Sequence, residues 1–196
     1  MTIDIGTGDG RAVLDAAARE PATLVLGLDA SAAGMVEASR RAAGPARRGG
    51  RPNAGFVLAA AEAPPAALAG AADLVTVRFP WGSLLRGCVG LDAKVTEGVA
   101  TLVAPAGTLE LLLAPCGRDG LDGVPTGPQD VVNAVRCAFE PHGFDLQAGR
   151  LATSAEIAAS GSTWAKRLAA GPERGDRSRD ADRSATLVRF VRRARR

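Results

Sequence analysis

Apolar residues fall in short runs along this chain, separated by stretches in which they return at helical spacing. The runs at residues 2–5 (TIDI), 23–28 (TLVLGL), 55–60 (GFVLAA), 73–79 (DLVTVRF), 108–114 (TLELLLA), 144–149 and 185–191 (ATLVRFV) predict strands. The intervening stretches at 10–19, 31–43, 93–104, 128–141 and 162–170 predict helices. Strand–helix alternation implies an α/β fold, a mostly parallel sheet with helices on both faces. Pro105-Ala106-Gly107 is expected to end one helix and Gly143 another. Residues 117–128 (GRDGLDGVPTGP) read as a mobile Gly/Pro/Asp loop, and residues 172–183 (PERGDRSRDADR) as a charged, disordered one. No internal repeat is visible.

In such sheets ligands bind beyond the carboxyl ends of the strands, at the point where strand order reverses. The first predicted strand ends in DIGTGDGR, residues 4–11. Glycines at positions 6, 8 and 10 let the backbone turn tightly and approach a ligand. Asp29 closes the second strand, where an acid binds a ribose hydroxyl pair. A dinucleotide wants G-x-G-x-x-G and a helix N-terminus free of acid, because pyrophosphate sits there. This loop has Arg11 at the sixth position and Asp9 inside it, which favours S-adenosylmethionine (SAM). That donor lacks phosphate and carries an ammonium and a sulfonium, so Asp4 and Asp9 suit it; a glycine turn without ligand remains the bland alternative. Glu62, in FVLAAAEAPP (56–65), stands where such a donor's adenine amine meets an acid or amide, or else it is a surface helix-capping acid.

Length and composition narrow the class. A chain of 196 residues suits a single domain, 1–196, with a sizeable core. No apolar run reaches the roughly 18 residues of a membrane span, and no secretory signal opens the chain. Cys88, Cys116 and Cys137 are far apart and His142 is the one histidine, which argues against a metal site or disulfide framework and for a reducing cytoplasm. Residues 1–160 are net acidic, whereas residues 161–196 are strongly basic. A second basic island, RRAAGPARRGGR (40–51), has five arginines and no acid. Such clusters mark a protein that meets a polyanion, or a solvated arginine-rich surface.

The chain has five Phe, two Trp and no Tyr. Trp81 follows the fourth predicted strand in RFPWGSLLRG (78–87), and Trp164 lies in GSTWAKRLAAGPER (161–174). Methyltransferases acting on amino groups of bases often place Asn/Asp-Pro-Pro-aromatic after this strand. Phe-Pro-Trp-Gly lacks the Asn/Asp, which hints at a ring nitrogen whose lone pair needs no deprotonation. Two tryptophans in basic, Gly/Ser-containing segments would sandwich one flipped nucleobase; taken singly, each is more often a core residue than a stacking platform.

The motifs IDIGTGDGR (3–11), GLDA (27–30), AAAEAPP (59–65), FPWGSLLRG (79–87) and STWAKRL (162–168) together resemble the Kam/Npm family of 16S rRNA (adenine 1408)-N1 methyltransferases, over nearly the whole chain. The resemblance implies a class I SAM-dependent methyltransferase fold of seven strands ending in an antiparallel hairpin edge. It implies donor contacts at Asp4, Gly6, Gly8, Asp29, Ala61, Glu62, Phe79, Pro80 and Ser83, with Ser162 near the methionine end. Trp81 and Trp164 would hold the flipped adenine, and Arg40, Arg41, Arg47, Arg48, Arg167 and Arg174 would dock the 30S subunit. A methyl on N1 blocks a hydrogen-bonding edge and adds positive charge, which disfavours polycationic aminoglycosides. A metal-free cytoplasmic monomer is expected. The chain departs from the family at its start, where Met1 falls almost on the glycine-loop strand, at Gly44 and Pro45, and in an insertion around 175–183. A methyltransferase of another RNA or a small metabolite, and a non-catalytic RNA-binding module, are the rival readings.

Overall fold

Strand alternation divides the sheet into one wholly apolar face and one mixed face. The computed structural model describes residues 1–161 and 184–194. Seven strands run β1 (Thr2–Ile5), β2 (Val25–Asp29), β3 (Ala54–Leu58), β4 (Ala72–Arg78), β5 (Val103–Leu113), β6 (Phe144–Leu151) and β7 (Thr186–Arg192). Their spatial order is β3-β2-β1-β4-β5-β7-β6. The first five are mutually parallel, and β7 pairs antiparallel with both β5 and β6. This is the sheet that the family resemblance implied, with its antiparallel hairpin edge. Strand order reverses at β1, between β2 and β4, so the crevice above that junction is where a ligand is expected.

On the apolar face Ile3, Ile5, Val75, Val77, Leu109, Leu111, Val188 and Phe190 are buried. Residues two apart on a strand share a face. Helices α3 (Gly82–Cys88), α4 (Ala93–Leu102) and α5 (Pro128–Phe139) cover it through Leu85, Val95, Val99, Val131 and Val135. Three of the five phenylalanines close the far end. Phe139 and Phe190 stand 5.9 Å and 6.2 Å from Phe144, between ring centres, and Phe139 meets Phe144 edge-on. On the opposite face α1 (Arg11–Arg19) and α2 (Ala32–Ala42) pack Val13, Leu14, Ala17 and Ala38 over the β2–β3 side.

Predicted boundaries shift by one to five residues where local chemistry intervenes. The helix expected over 93–104 ends at Leu102, and β5 starts at Val103 rather than 108. Pro105 and a left-handed Ala106 (φ 62°) are accommodated in a bulge: Ala72 pairs with Val103, and the next pair is Leu74 with Thr108. Two helices went unforeseen, α3 and the six-residue α6 (Ser154–Ala159). The 117–128 loop is tethered: Leu121 and Val124 pack on the core, and Arg86 donates to the Asp122 carbonyl at 3.0 Å. The helix expected over 162–170 and the loop over 172–183 lie outside the described residues.

Candidate functional site

The carboxyl ends of β1 to β4 surround a cleft of about 340 Å³. Ile5, Leu28 and Leu84 contribute its apolar lining, and Asp29, Ala61, Glu62, Phe79, Pro80, Trp81 and Ser83 surround them. Asp29 is fixed on both oxygens: Oδ2 accepts from the Gly8 N–H at 2.9 Å and Oδ1 from the Ser31 N–H at 2.8 Å. A carboxylate accepts about four hydrogen bonds, so capacity remains for a diol. Glu62 is exposed at the cleft. It caps no helix, since the nearest turn, Ala66–Leu68, starts behind Pro65.

A second chamber of about 170 Å³ shares Gly6 and Phe79 with the first and adds Asp4, Thr7, Gly8, Asp9, Ala12, Arg78 and Gly161. The loop expected from its glycines is present: Gly6, Gly8 and Gly10 have φ of 70°, 58° and 69°, values that side chains disfavour. A Cβ on Gly10 would stand 2.5 Å from Phe56, whereas one on Gly8 would meet nothing within 4 Å. Gly8 therefore faces open space that a ligand can fill. Asp4 is buried and accepts from Thr76 Oγ1 at 2.6 Å and Arg78 Nη1 at 2.8 Å. Asp9 accepts from the Arg11 N–H at 3.1 Å, setting a carboxylate at the start of α1. That charge satisfies the helix end and repels phosphate.

β4 leaves the sheet through strained backbone. Phe79 has φ 50°, its N–H donating to the Leu112 carbonyl at 2.7 Å, and Gly82 has φ 57°. Left-handed geometry at a bulky residue costs about 1–3 kcal/mol and clusters at functional sites. Its consequence here is that Trp81 stands at the cleft 60% exposed, not in the core. Ser83, in the first turn of α3, lines the same cleft.

The expected donor-site residues through Ser83 thus converge on two joined chambers. Ser162, Trp164, Arg167 and Arg174 lie outside the described residues, although Gly161, which precedes Ser162, lines the second chamber. Arg40 and Arg41 occupy the last turn of α2, with Arg47 and Arg48 in the turn Ala46–Arg48; all four are exposed. Helix α2 starts beside Asp29 and its 11 residues run about 16 Å, so these arginines lie toward the end of the helix away from the cleft. The island is not free of acid in space: Arg40 donates to Glu37 at 3.1 Å.

Several site residues were assigned no role from the sequence. Ala30, Ala59 and Ala60 line the cleft as thin walls. Gly34 lets α2 approach the loop, since a Cβ there would stand 2.5 Å from the Gly8 carbonyl oxygen. Gly98 does the same for α4 against Ala61. Arg78, read only as part of a strand, lies beside Asp4. Strand register, with Asp4 opposite Thr76, is the signal that finds it.

The two chambers contain carboxylates and one guanidinium but, among the described residues, no histidine, cysteine or lysine. Cys88 is buried elsewhere, and burial pushes its thiol up to about 12. Among the described residues no group of three His, Cys, Asp or Glu is arranged to hold a metal. The arrangement suits a nucleoside joined to an amino acid.

Comparison with known proteins agrees with this geometry. The family model described as NpmA, 16S rRNA (adenine(1408)-N(1))-methyltransferase, matches residues 1–182. A protein of that name from Streptoalloteichus hindustanus is 32% identical over 182 residues, covering 90% of this chain and 83% of the relative. The solved structure of the aminoglycoside resistance methyltransferase NpmB1 is 38% identical, with a TM-score of 0.73, covering 97% of this chain and 86% of that one. A tryptophan-to-alanine variant of the Catenulisporales acidiphilia 16S rRNA (adenine(1408)-N(1))-methyltransferase, with cosubstrate SAM, is 31% identical with a TM-score of 0.83, covering 100% and 86%. By fold and by likeness over nearly all of its length, this chain belongs to the NpmA family of 16S rRNA (adenine(1408)-N(1))-methyltransferases.

Proposed function

We propose that this chain, working as a single-domain monomer in the cytoplasm, transfers a methyl group from SAM to N1 of adenine 1408 in 16S rRNA of the 30S subunit, and so confers aminoglycoside resistance. The observation that carries the reading is the exposed indole of Trp81 at the mouth of two joined chambers that fit an adenosine and an amino acid.

Asp29 binds the ribose diol, Ala61 and Glu62 meet the adenine edge, and the glycine loop with Asp4 receives the amino-acid end. When bound, SAM supplies an electrophilic methyl on a sulfonium. Phe79, which lines both chambers, walls their junction, and Pro80 stands beside it in the first. Trp81 offers its face to an extruded base, and Trp164 is the second ring of the sandwich. Base–aromatic stacking contributes about 1–3 kcal/mol per base, and the cationic product gains cation–π attraction. Adenine N1 presents an in-plane lone pair, so no side chain need remove a proton. This agrees with a site that lacks histidine, cysteine and lysine among its described lining. Acceleration then comes chiefly from orientation, with reacting atoms held about 3–3.5 Å apart.

The test is transfer of labelled methyl from SAM to purified 30S subunits, with small-molecule amines and bases offered in parallel. The reading predicts label on the 30S subunit alone. Label on small molecules without ribosomes favours a metabolite enzyme, and salt-sensitive RNA binding without SAM binding favours a non-catalytic module.

A further inference from the structure

An amino-acid end brings one positive and one negative charge into the second chamber, and the chamber's own charges are unequal. Asp4 and Asp9 line it as acids, and Arg78 is the one cation among its described lining residues. Asp4 suits an ammonium. A carboxylate beside two acids needs a separate donor.

The glycine loop is poorly placed to provide it, because the amides of Gly6, Thr7, Gly8 and Gly10 are already engaged. The Gly6 and Thr7 N–H groups donate to the Leu28 carbonyl at 2.8 and 3.3 Å, and Gly10 to the Thr7 carbonyl at 3.1 Å. Gly8 donates to Asp29 and Arg11 to Asp9. The start of α1, elsewhere an anion site, faces the Asp9 carboxylate instead.

Arg78 is free of these restrictions. Valines 75 and 77 of β4 point to the apolar core, so Thr76 and Arg78 point to the opposite face, where Asp4 lies. Its side chain is 20% exposed and contacts Asp4 through Nη1 at 2.8 Å. A guanidinium has five N–H donors in a planar fork that matches a carboxylate, and the contact with Asp4 uses one. Thr76 already donates to the same Asp4 oxygen at 2.6 Å, so Asp4 is held in place by a neutral partner as well. Glu110, on the neighbouring strand, is engaged by Arg189.

We propose that Arg78 is the carboxylate-binding residue of the amino-acid subsite, so that Asp4 and Arg78 together recognise the zwitterionic end of the donor. The inference rests on the reading of this cleft as the SAM site. It makes Arg78 a selectivity residue for donors and products that retain the carboxylate.

Calorimetry with three probes tests it: S-adenosylhomocysteine, its decarboxylated analogue, and methylthioadenosine, which lacks the whole amino-acid end. Wild-type protein should bind S-adenosylhomocysteine roughly 10- to 100-fold more tightly than the decarboxylated analogue, the range of a charge-assisted pair. Arg78→Gln should bring that ratio to about twofold or less, with methylthioadenosine affinity unchanged within about twofold. A ratio preserved in Arg78→Gln, or equal weakening of all three probes, overturns the proposal; equal weakening would mean that Arg78 only positions Asp4 and the loop. If Arg78→Gln fails to fold by thermal melt, Arg78→Lys decides. Its point charge should keep part of the preference but lower the ratio at least about threefold, and a full wild-type ratio overturns the proposal. If wild-type protein binds none of the probes, the donor-site reading itself falls and this inference with it.

Discussion

Replacing Trp81 with alanine removes a side chain that is mostly in solvent and that the core does not need. The expected result is a melting temperature near wild type, SAM affinity within about threefold, and methyl transfer to 30S subunits reduced by about 10-fold or more, in line with the loss of one stacking surface. Trp81→Phe should recover part of the rate. Wild-type transfer by the alanine variant would remove Trp81 from the account. Gly8 gives the complementary case. A Cβ there meets no neighbour, so Gly8→Ala should cost only the left-handed backbone penalty of about 1–2 kcal/mol while weakening SAM markedly; paired denaturant melts and calorimetry would separate the effects. At this scale the sequence was readable where chemistry needs atoms. Asp29, Glu62 and Trp81 were recognisable by type and spacing, and each lines the cleft. Gly34, Gly98, Ala59 and Ala60 act by lacking atoms, so only the packing around them reveals why they are small.

Long elements were legible and short ones were not. Helix α5 has Pro128 at its first turn and a strong apolar stripe, and its expected start is the observed one. Helix α3 has glycine at 82 and 87 within seven residues and forms because Leu85 and Cys88 are buried beneath it. Helix α6 did announce itself, through the Thr153–Glu156 capping box, but six residues of weak periodicity concealed it. That box and the Arg150 pair carry a pH dependence. Hydrogen bonds from Arg150 and from the Thr153 backbone lower the Glu156 carboxyl from 4.5 to about 2. A lowered acid contributes its full stabilisation above the unfolded pKa and loses it as pH falls toward the folded one. The contribution should therefore be whole above about pH 4.5 and fade between there and pH 2. Carboxyl-detected NMR should place the Glu156 midpoint near 2; a midpoint near 4.5 would contradict the pairing. Thr153→Ala should cost about 1 kcal/mol in urea denaturation.

For the molecule as a whole, catalysis and docking are expected to be separable. The cleft lies at one end of α2 and the exposed arginines at the other, about a helix length away. Arg47→Ala with Arg48→Ala should weaken 30S binding and flatten its salt dependence by about one unit of slope per lost phosphate contact. SAM affinity should not change. Sedimentation binding across a salt series would show this, and an unchanged slope would move the docking face elsewhere. Fold class was legible because strand–helix alternation and the glycine loop leave few alternatives, whereas the antiparallel hairpin edge was legible only through the family resemblance. The polar row on the mixed face, from Asp4 through Thr76 to Glu110 and Arg189, was not, because it depends on inter-strand register across four strands.

The central claim concerns one atom of one nucleotide. Purified protein, SAM and 30S subunits should be incubated together, and the 16S rRNA then read by primer extension and by mass spectrometry of the digested decoding-site fragment. The account predicts a reverse-transcription stop at adenine 1408 and a single added methyl on its N1. A methyl on any other atom or nucleotide, or unmodified 16S rRNA under saturating SAM, would contradict it.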